Sequence, residues 1–220
     1  MVNTYRSRVL DDELDALLPG LPAISLEGPK GVGKTATAMQ RAAQVLRLDE
    51  PAQAQLLSAD PSRLARGPYP LLIDEWQRLP AAWDLVRRAV DDDPSPGRFL
   101  LTGSAAPKLT PMHSGAGRIV TLRMRPLTLV ERGVSTPTVS LARLLAQGLS
   151  PDTVSGRCTL TLPDYTSEII SGGFPALRAG SDRAVRAALD GYLQRIIEVE
   201  LPEAGAAVRR PETLRRWLSA

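Results

Sequence analysis

The stretch from Gly28 to Thr35 constrains this chain more than any other, because it reads GPKGVGKT and matches G-x-x-x-x-G-K-[ST] at every fixed position. An apolar, strand-like run over residues 23–26 precedes it, and good helix formers over residues 34–45 follow it. A loop in this context wraps its backbone N–H groups around a phosphate, and glycines are needed because a Cβ would obstruct the approach. The pattern therefore predicts a phosphate-binding loop.

The loop also predicts which groups hold a nucleotide. Lys34 reaches the β- and γ-phosphates, and the Thr35 hydroxyl is a ligand for Mg²⁺. The helix that begins here points the positive end of its dipole toward the bound anion. The residues that we expect to bind the nucleotide are Gly28, Pro29, Lys30, Gly31, Val32, Gly33, Lys34 and Thr35.

Polar residues follow two later apolar runs, which end in Asp74-Glu75 and in Thr102. Because the carboxyl ends of parallel strands face the ligand crevice, we expect these residues beside the phosphate loop. Asp74 is predicted to hold Mg²⁺ through its water shell, and Glu75 to orient the water that attacks the γ-phosphate. Thr102, or with less support Ser104, is predicted to contact the γ-phosphate or that water. The alternative is an ordinary polar turn after each strand.

Arg118 is a candidate arginine finger. It follows two glycines and precedes an apolar run over residues 119–122. An arginine held at such a loop exit can neutralise charge in the transition state, in its own subunit or in a neighbouring one. The basic residues of this chain are nearly all arginine, so a surface role is the alternative.

The composition indicates a soluble globular protein. The chain has 220 residues, of which 43% are hydrophobic and 23% charged, enough for one substantial core and a small second unit. No run is long enough to cross a bilayer, and the first residues lack an apolar signal core, so we expect a cytoplasmic protein without a membrane partner. Cys158 is the single cysteine, which excludes an intrachain disulfide and a cysteine zinc cluster.

The order of apolar runs predicts an α/β fold. We expect a three-layer P-loop NTPase core with a parallel five-stranded sheet, followed by a small helical segment. Within that segment, residues 181–200 form the clearest amphipathic helix, which Pro202 is expected to stop. The chain ends soon after Trp217 without a helix cap, so we expect a fragment that lacks a C-terminal domain. The predicted units are the core at 1–130, a linker at 131–160, and a helical lid or the start of the truncated domain at 161–220.

Three strand ends, GPKGVGKT, LLIDEW and FLLTGS, together resemble those of the AAA-type ATPases. More narrowly, the chain resembles a large, poorly characterised family of prokaryotic predicted ATPases, in which an AAA core precedes a helical segment and a C-terminal domain of unknown function. The likeness covers nearly the whole chain, including the motifs at residues 114–118, 125–127 and 172–175. The resemblance implies ATP and Mg²⁺ binding at residues 28–35 and Asp74, hydrolysis through Glu75, and sensing at Thr102.

Three functions follow from these patterns. The first is an ATP hydrolase that acts as a conformational switch or motor module. The second is a P-loop kinase for a small molecule, which the adjacent Asp74 and Glu75 disfavour because they suit water activation. The third is a non-catalytic, ATP-dependent nucleic-acid-binding module, suggested by Arg209, Arg210, Arg215 and Arg216. The expected partners are ATP, further copies of the chain, and a protein or DNA that binds through the missing C-terminal region.

Overall fold

A parallel β-sheet forms the centre of the molecule in the computed structural model. The described residues are 5–104, 115–178, 180–203 and 205–219. The sheet has the strand order β2-β3-β4-β1-β5, and every neighbouring pair is parallel. The strands are β1 (Ala23–Gly28), β2 (Gln44–Arg47), β3 (Leu71–Asp74), β4 (Phe99–Ser104) and β5 (Ile119–Arg123). The predicted five-stranded parallel sheet is therefore confirmed.

Helices connect the strands and continue into a helical segment after β5. The helices of the core are α1 (Val9–Leu17), α2 (Lys34–Met39), α3 (Pro51–Ala59) and α4 (Ala81–Asp92), with short 3₁₀ turns at Pro61–Ala65 and Trp76–Arg78. The later helices are α5 (Leu141–Gln147), α6 (Pro151–Val154), α7 (Leu162–Ser171), α8 (Asp182–Arg195), α9 (Leu201–Glu203) and α10 (Pro211–Leu218). A 3₁₀ turn spans Pro175–Arg178, and a π-helical turn spans Ile196–Glu200. None of the helices in the described ranges is both long and apolar enough to cross a membrane.

Both faces of the sheet are buried, which gives the three layers. Alternate strand residues point to opposite faces, so Phe99 and Leu101 join one apolar cluster while Leu100 joins the other. The first cluster packs against α4 through Val86, and the second packs against α1 through Leu14. A strand covered on both sides reads as a continuous apolar run, which explains why these strands were recognisable in the sequence.

Helix α2 is shorter than the sequence predicts. It ends at Met39, whereas the prediction extended it to Val45. The reason is a tertiary contact, because the N–H groups of Ala43 and Gln44 both donate to the carbonyl of Pro70, at 2.8 and 3.4 Å. This contact draws the backbone into the sheet, and β2 begins at once.

The helical path ends at Glu203, one residue beyond Pro202, which the sequence predicted as its stop. The chain remains helical through α9, after a π-helical turn in which the N–H of Leu201 donates to the carbonyl of Ile196. Residues 129–133, after β5, form hydrogen-bonded turns. Ser114, part of one resemblance motif, lies outside the described residues.

Candidate nucleotide-binding site

The phosphate loop joins the end of β1 to the start of α2, and its glycines are required by the backbone. Gly31 and Gly33 have φ angles of 79° and 108°, which residues with a side chain rarely adopt. A Cβ on Gly28 would lie 2.3 Å from the carbonyl oxygen of Met124. The glycine pattern read from the sequence thus reflects both the turn of the loop and the close approach of a neighbouring strand end.

Lys34 is buried at the first position of α2. Its Nζ donates to the carbonyl oxygens of Gly28 and Pro29, at 2.9 and 3.0 Å, so the side chain folds back across the loop. Burial lowers the pKa of Lys34 below its ordinary value, while the negative charges of Glu75, Asp74 and Glu200 oppose this shift. The ammonium group therefore lies among carboxylates and loop carbonyls, with a cost of burial that an anionic ligand would offset.

Asp74, Thr35 and Thr102 come together at one carboxylate oxygen. The Thr35 hydroxyl donates to Oδ1 of Asp74 at 2.7 Å, and the Thr102 hydroxyl donates to the same oxygen. Asp74 and Thr102 are directly paired across β3 and β4, which places both at the carboxyl edge of the sheet. The structure thus brings the two predicted Mg²⁺ ligands together, and it uses the buried Thr102 hydroxyl to orient Asp74.

Glu75 turns away from the line of β3. Its backbone has φ 52° and ψ 45°, a left-handed conformation that is uncommon for a residue with a side chain and is found often at functional sites. The amide of Gln77 donates to the Glu75 carboxylate and holds it at the start of the 3₁₀ turn. Sequence reasoning identified Glu75 but missed Gln77, because no motif marks that position.

Arg118 does not lie at the phosphate loop of its own chain. The next residue, Ile119, pairs with Ala23 at the start of β1, whereas the loop follows the end of β1. Arg118 therefore lies at the amino ends of the strands, opposite the carboxyl ends that bear the loop, and about 15–20 Å along the strand direction from Gly28. Its Nε donates to Asp91 at 2.7 Å. This position corrects the expectation of a finger within one subunit, and a role toward a neighbouring subunit stays a prediction.

Arg8 fixes the back of the phosphate loop. Its guanidinium donates to the carbonyls of Val32 and Arg125, at 2.8 and 2.6 Å, and forms an ion pair with Glu131 at 2.9 Å. Only 5% of this residue is exposed. Because three bonds from one buried cation join the loop to the chain after β5, Arg8 limits how far the loop can move. Arg8 could not be predicted from the sequence, since an arginine near the start of a chain carries no spacing signal.

A cavity of about 380 Å³ lies beside the loop. It opens between the chain before α1, the outer side of α2 and the 3₁₀ turn of the helical segment. The residues that line it are Tyr5, Arg6, Arg8, Gly33, Ala36, Thr37, Met39, Gln40, Leu127, Pro175 and Arg178. The cavity therefore combines apolar walls with several hydrogen-bonding groups, next to Gly33, the residue that precedes α2.

Comparison with known proteins agrees with this geometry. Residues 21–132, which contain β1 to β5 and the phosphate loop, match the family model described as an AAA domain. The chain belongs to the AAA-domain family. The recognition of an AAA-type ATPase from the strand ends is thereby confirmed, while the C-terminal domain of unknown function stays a prediction.

Individual relatives extend the likeness beyond the AAA domain. Uncharacterized proteins of Mycobacterium tuberculosis and Mycobacterium bovis are each 30% identical over 203 residues, which is 89% of this chain and 40% of those proteins. The chain thus spans less than half the length of the curated relatives it matches. A Walker-type ATPase of Pyrococcus abyssi has a similar fold, with a TM-score of 0.50 and 15% identity over 90% of this chain and 75% of that one. The solved structure shows a shared fold, while the match of residues 21–132 to the AAA domain supports a nucleotide-binding ATPase.

Proposed function

We propose that this AAA-family chain binds ATP with Mg²⁺ and hydrolyses it. The observation that carries the proposal is the convergence of Thr35 and Thr102 on one oxygen of Asp74, at the edge of the sheet that also bears the phosphate loop. A hydroxyl beside a carboxylate offers the hard oxygen ligands that Mg²⁺ prefers, with water completing its coordination. Thr35 and Asp74 would hold the ion, which when bound offsets negative charge on the phosphates.

The other residues of the site have the roles that hydrolysis requires. Lys34 exchanges its bonds to the loop carbonyls for phosphate oxygens, which neutralises a charge that burial otherwise makes costly. Glu75 accepts a hydrogen bond from the attacking water and polarises it toward the γ-phosphate. Thr102 acts on this chemistry through Asp74, because its hydroxyl holds the carboxylate in place. We further propose that the chain uses hydrolysis to change conformation as a switch.

The cavity beside the loop suits the nucleoside half of ATP. Its volume of about 380 Å³ is within the range of small-molecule sites. Tyr5, Met39 and Pro175 offer apolar surface for a base, while Gln40 and Arg178 offer hydrogen-bond donors. The base and the phosphates would then lie on opposite sides of Gly33, so that one nucleotide would fill both the cavity and the phosphate loop.

Two substitutions separate binding from hydrolysis. Glu75→Gln keeps ATP binding and lowers turnover by about 10²–10⁴-fold, because the amide cannot accept a proton from water. Lys34→Ala loses both, since it removes the cation that contacts the phosphates. The measurements are titration with a fluorescent ATP analogue in Mg²⁺ and the rate of phosphate release. Glu13→Gln, on the exposed side of α1, is the matched control and keeps the wild-type rate.

The same assay excludes or supports a small-molecule kinase. A hydrolase releases phosphate without any added acceptor, whereas a kinase releases almost none until its acceptor is supplied. If Glu75→Gln hydrolysed ATP as fast as the wild type, Glu75 would not be the residue that activates water. If Lys34→Ala bound ATP with unchanged affinity, the phosphate loop would not be the site.

A further inference from the structure

The helical segment contacts the phosphate loop directly. The hydroxyl of Tyr192, on α8, donates to the carbonyl oxygen of Lys30 at 3.1 Å. The ring of Tyr192 packs against that of Phe174, with centroids 4.9 Å apart. Lys30 lies within the loop, between Gly28 and Gly31, so any shift of the loop backbone reaches α8 through this hydrogen bond.

A second contact between the same elements is electrostatic. The Nζ of Lys30 is 3.7 Å from Oε1 of Glu200, and the Nε of Arg195 is 3.2 Å from the same oxygen. The Glu200 side chain is 24% exposed, so its charge is only partly screened by water. One carboxylate of the helical segment therefore lies beside Lys30 of the phosphate loop.

A π-helical turn brings Glu200 and Tyr192 toward the same side. In a regular α-helix, residues eight positions apart differ by about 80° around the axis. The wider turn at Ile196–Glu200 reduces that difference, and Ile197, only 3% exposed, anchors the turn. Such turns occur often at functional sites. The local geometry thus holds a negative charge against a loop that, under the proposed function, binds an anion.

We propose that Glu200 is a specificity-determining residue that weakens the binding of nucleoside triphosphate relative to diphosphate. The proposal rests on the proposed function, because it assigns the phosphates to this loop. Glu200 repels added phosphate charge and also occupies Lys30, which would otherwise attract it. A partly exposed ion pair of this kind is weak, so a bound triphosphate displaces it. Occupation by ATP therefore releases Glu200 and the helical segment from the loop, whereas ADP leaves more of the contact in place.

The test compares ATP and ADP affinities of the wild type with those of Glu200→Gln, by calorimetric titration in Mg²⁺ at 50 and 300 mM KCl. A like charge a few ångströms away in a partly screened site changes affinity by about three- to tenfold, so Glu200→Gln binds ATP tighter by that factor. Its ADP affinity changes by less than about twofold, since the terminal charge is absent. The gain for ATP shrinks at the higher salt concentration because salt screens the repulsion.

Glu198→Gln is the matched control. Glu198 is exposed on the same π-helical turn and bonds to Gln194, so its loss leaves the ATP-to-ADP ratio unchanged. Glu200→Ala repeats the test with a side chain that can form no hydrogen bond, and thermal unfolding checks that this variant is folded. If the wild type binds ATP and neither Glu200 variant binds it more tightly, the role of Glu200 is wrong but the proposed function stands. A wild type that binds neither nucleotide overturns the proposed function together with this role.

Discussion

Asp11 is a buried carboxylate at the start of α1 whose charge is compensated from three directions. It accepts from the backbone N–H of Arg8 at 2.6 Å, from the Tyr5 hydroxyl at 2.8 Å and from Arg41 at 2.9 Å. Burial by itself would raise the pKa of Asp11, but these hydrogen bonds and the charge of Arg41 lower it below its ordinary value. The ionised form therefore stabilises the fold and links α1 to Arg41, just after the end of α2.

The pH dependence of stability follows from that direction. Asp11→Asn lowers the free energy of unfolding at pH 7 by about 1–3 kcal/mol, the usual range for hydrogen bonds to a charged group. Because the folded pKa is lowered, the stabilisation is complete above the unfolded pKa near 4 and is lost as pH falls through the folded value. Urea unfolding at pH 7 and pH 3 measures both effects. Asp12→Asn, on the exposed face of the same helix, is the control, and an equal loss for Asp11→Asn at both pH values would contradict this account.

Predictability differs among the site residues for a physical reason. Lys34, Thr35 and Asp74 were predictable because each is fixed by its spacing from a strand end, and the sheet brings strand ends together. Gln77 and Glu200 were not, since their places depend on a 3₁₀ turn and a π-helical turn that no local pattern marks. Arg118 was proposed as a finger from its residue type and its place at a loop exit. Neither feature indicates at which end of the strands that loop lies.

At the scale of elements, β4 and the 3₁₀ turn after β3 pack too closely to admit a side chain at Gly103. A Cβ there would lie 2.6 Å from the indole nitrogen of Trp76 and 2.9 Å from the amide oxygen of Gln77. Gly103→Ala therefore displaces the residue that holds Glu75, at a cost of about 1–3 kcal/mol in stability. We expect a lower Tm and a fall in phosphate release that exceeds any loss of ATP affinity, as measured by calorimetry and the phosphate-release assay.

Gly191 offers a control for that substitution. It lies within α8, and an added Cβ would have no atom within 4 Å, so Gly191→Ala raises stability by about 0.5–1 kcal/mol through helix propensity alone. A Gly103→Ala protein with the stability and turnover of the wild type would show that the turn is free to move. The sequence predicted strand β4 but not the 3₁₀ turn that packs on it. Neither the fit of Gly103 against Trp76 nor the early end of α2 follows from local pattern, because both are set by contacts between elements.

At the scale of the whole molecule, Arg118 lies away from the candidate nucleotide site of its own chain. The side chain of Arg118 is 45% exposed and pairs with Asp91 at the edge of the sheet away from the phosphate loop. If this residue completes a site, it does so in a neighbouring copy. An arginine supplied in this way accelerates phosphoryl transfer by about 10³–10⁵-fold where it operates.

The dependence of the rate on protein concentration tests that assembly. We expect the ATPase rate per subunit to rise with concentration in the wild type, because Arg118 of one copy would reach the site of another only when two copies meet. Arg118→Ala keeps ATP affinity but loses this rise, while Arg88→Ala, on the exposed side of α4, retains it as the control. The measurements are phosphate release over a range of concentrations and sedimentation of the same samples. A rate per subunit that is independent of concentration, and is unaffected by Arg118→Ala, would assign Arg118 to the surface pair with Asp91 alone.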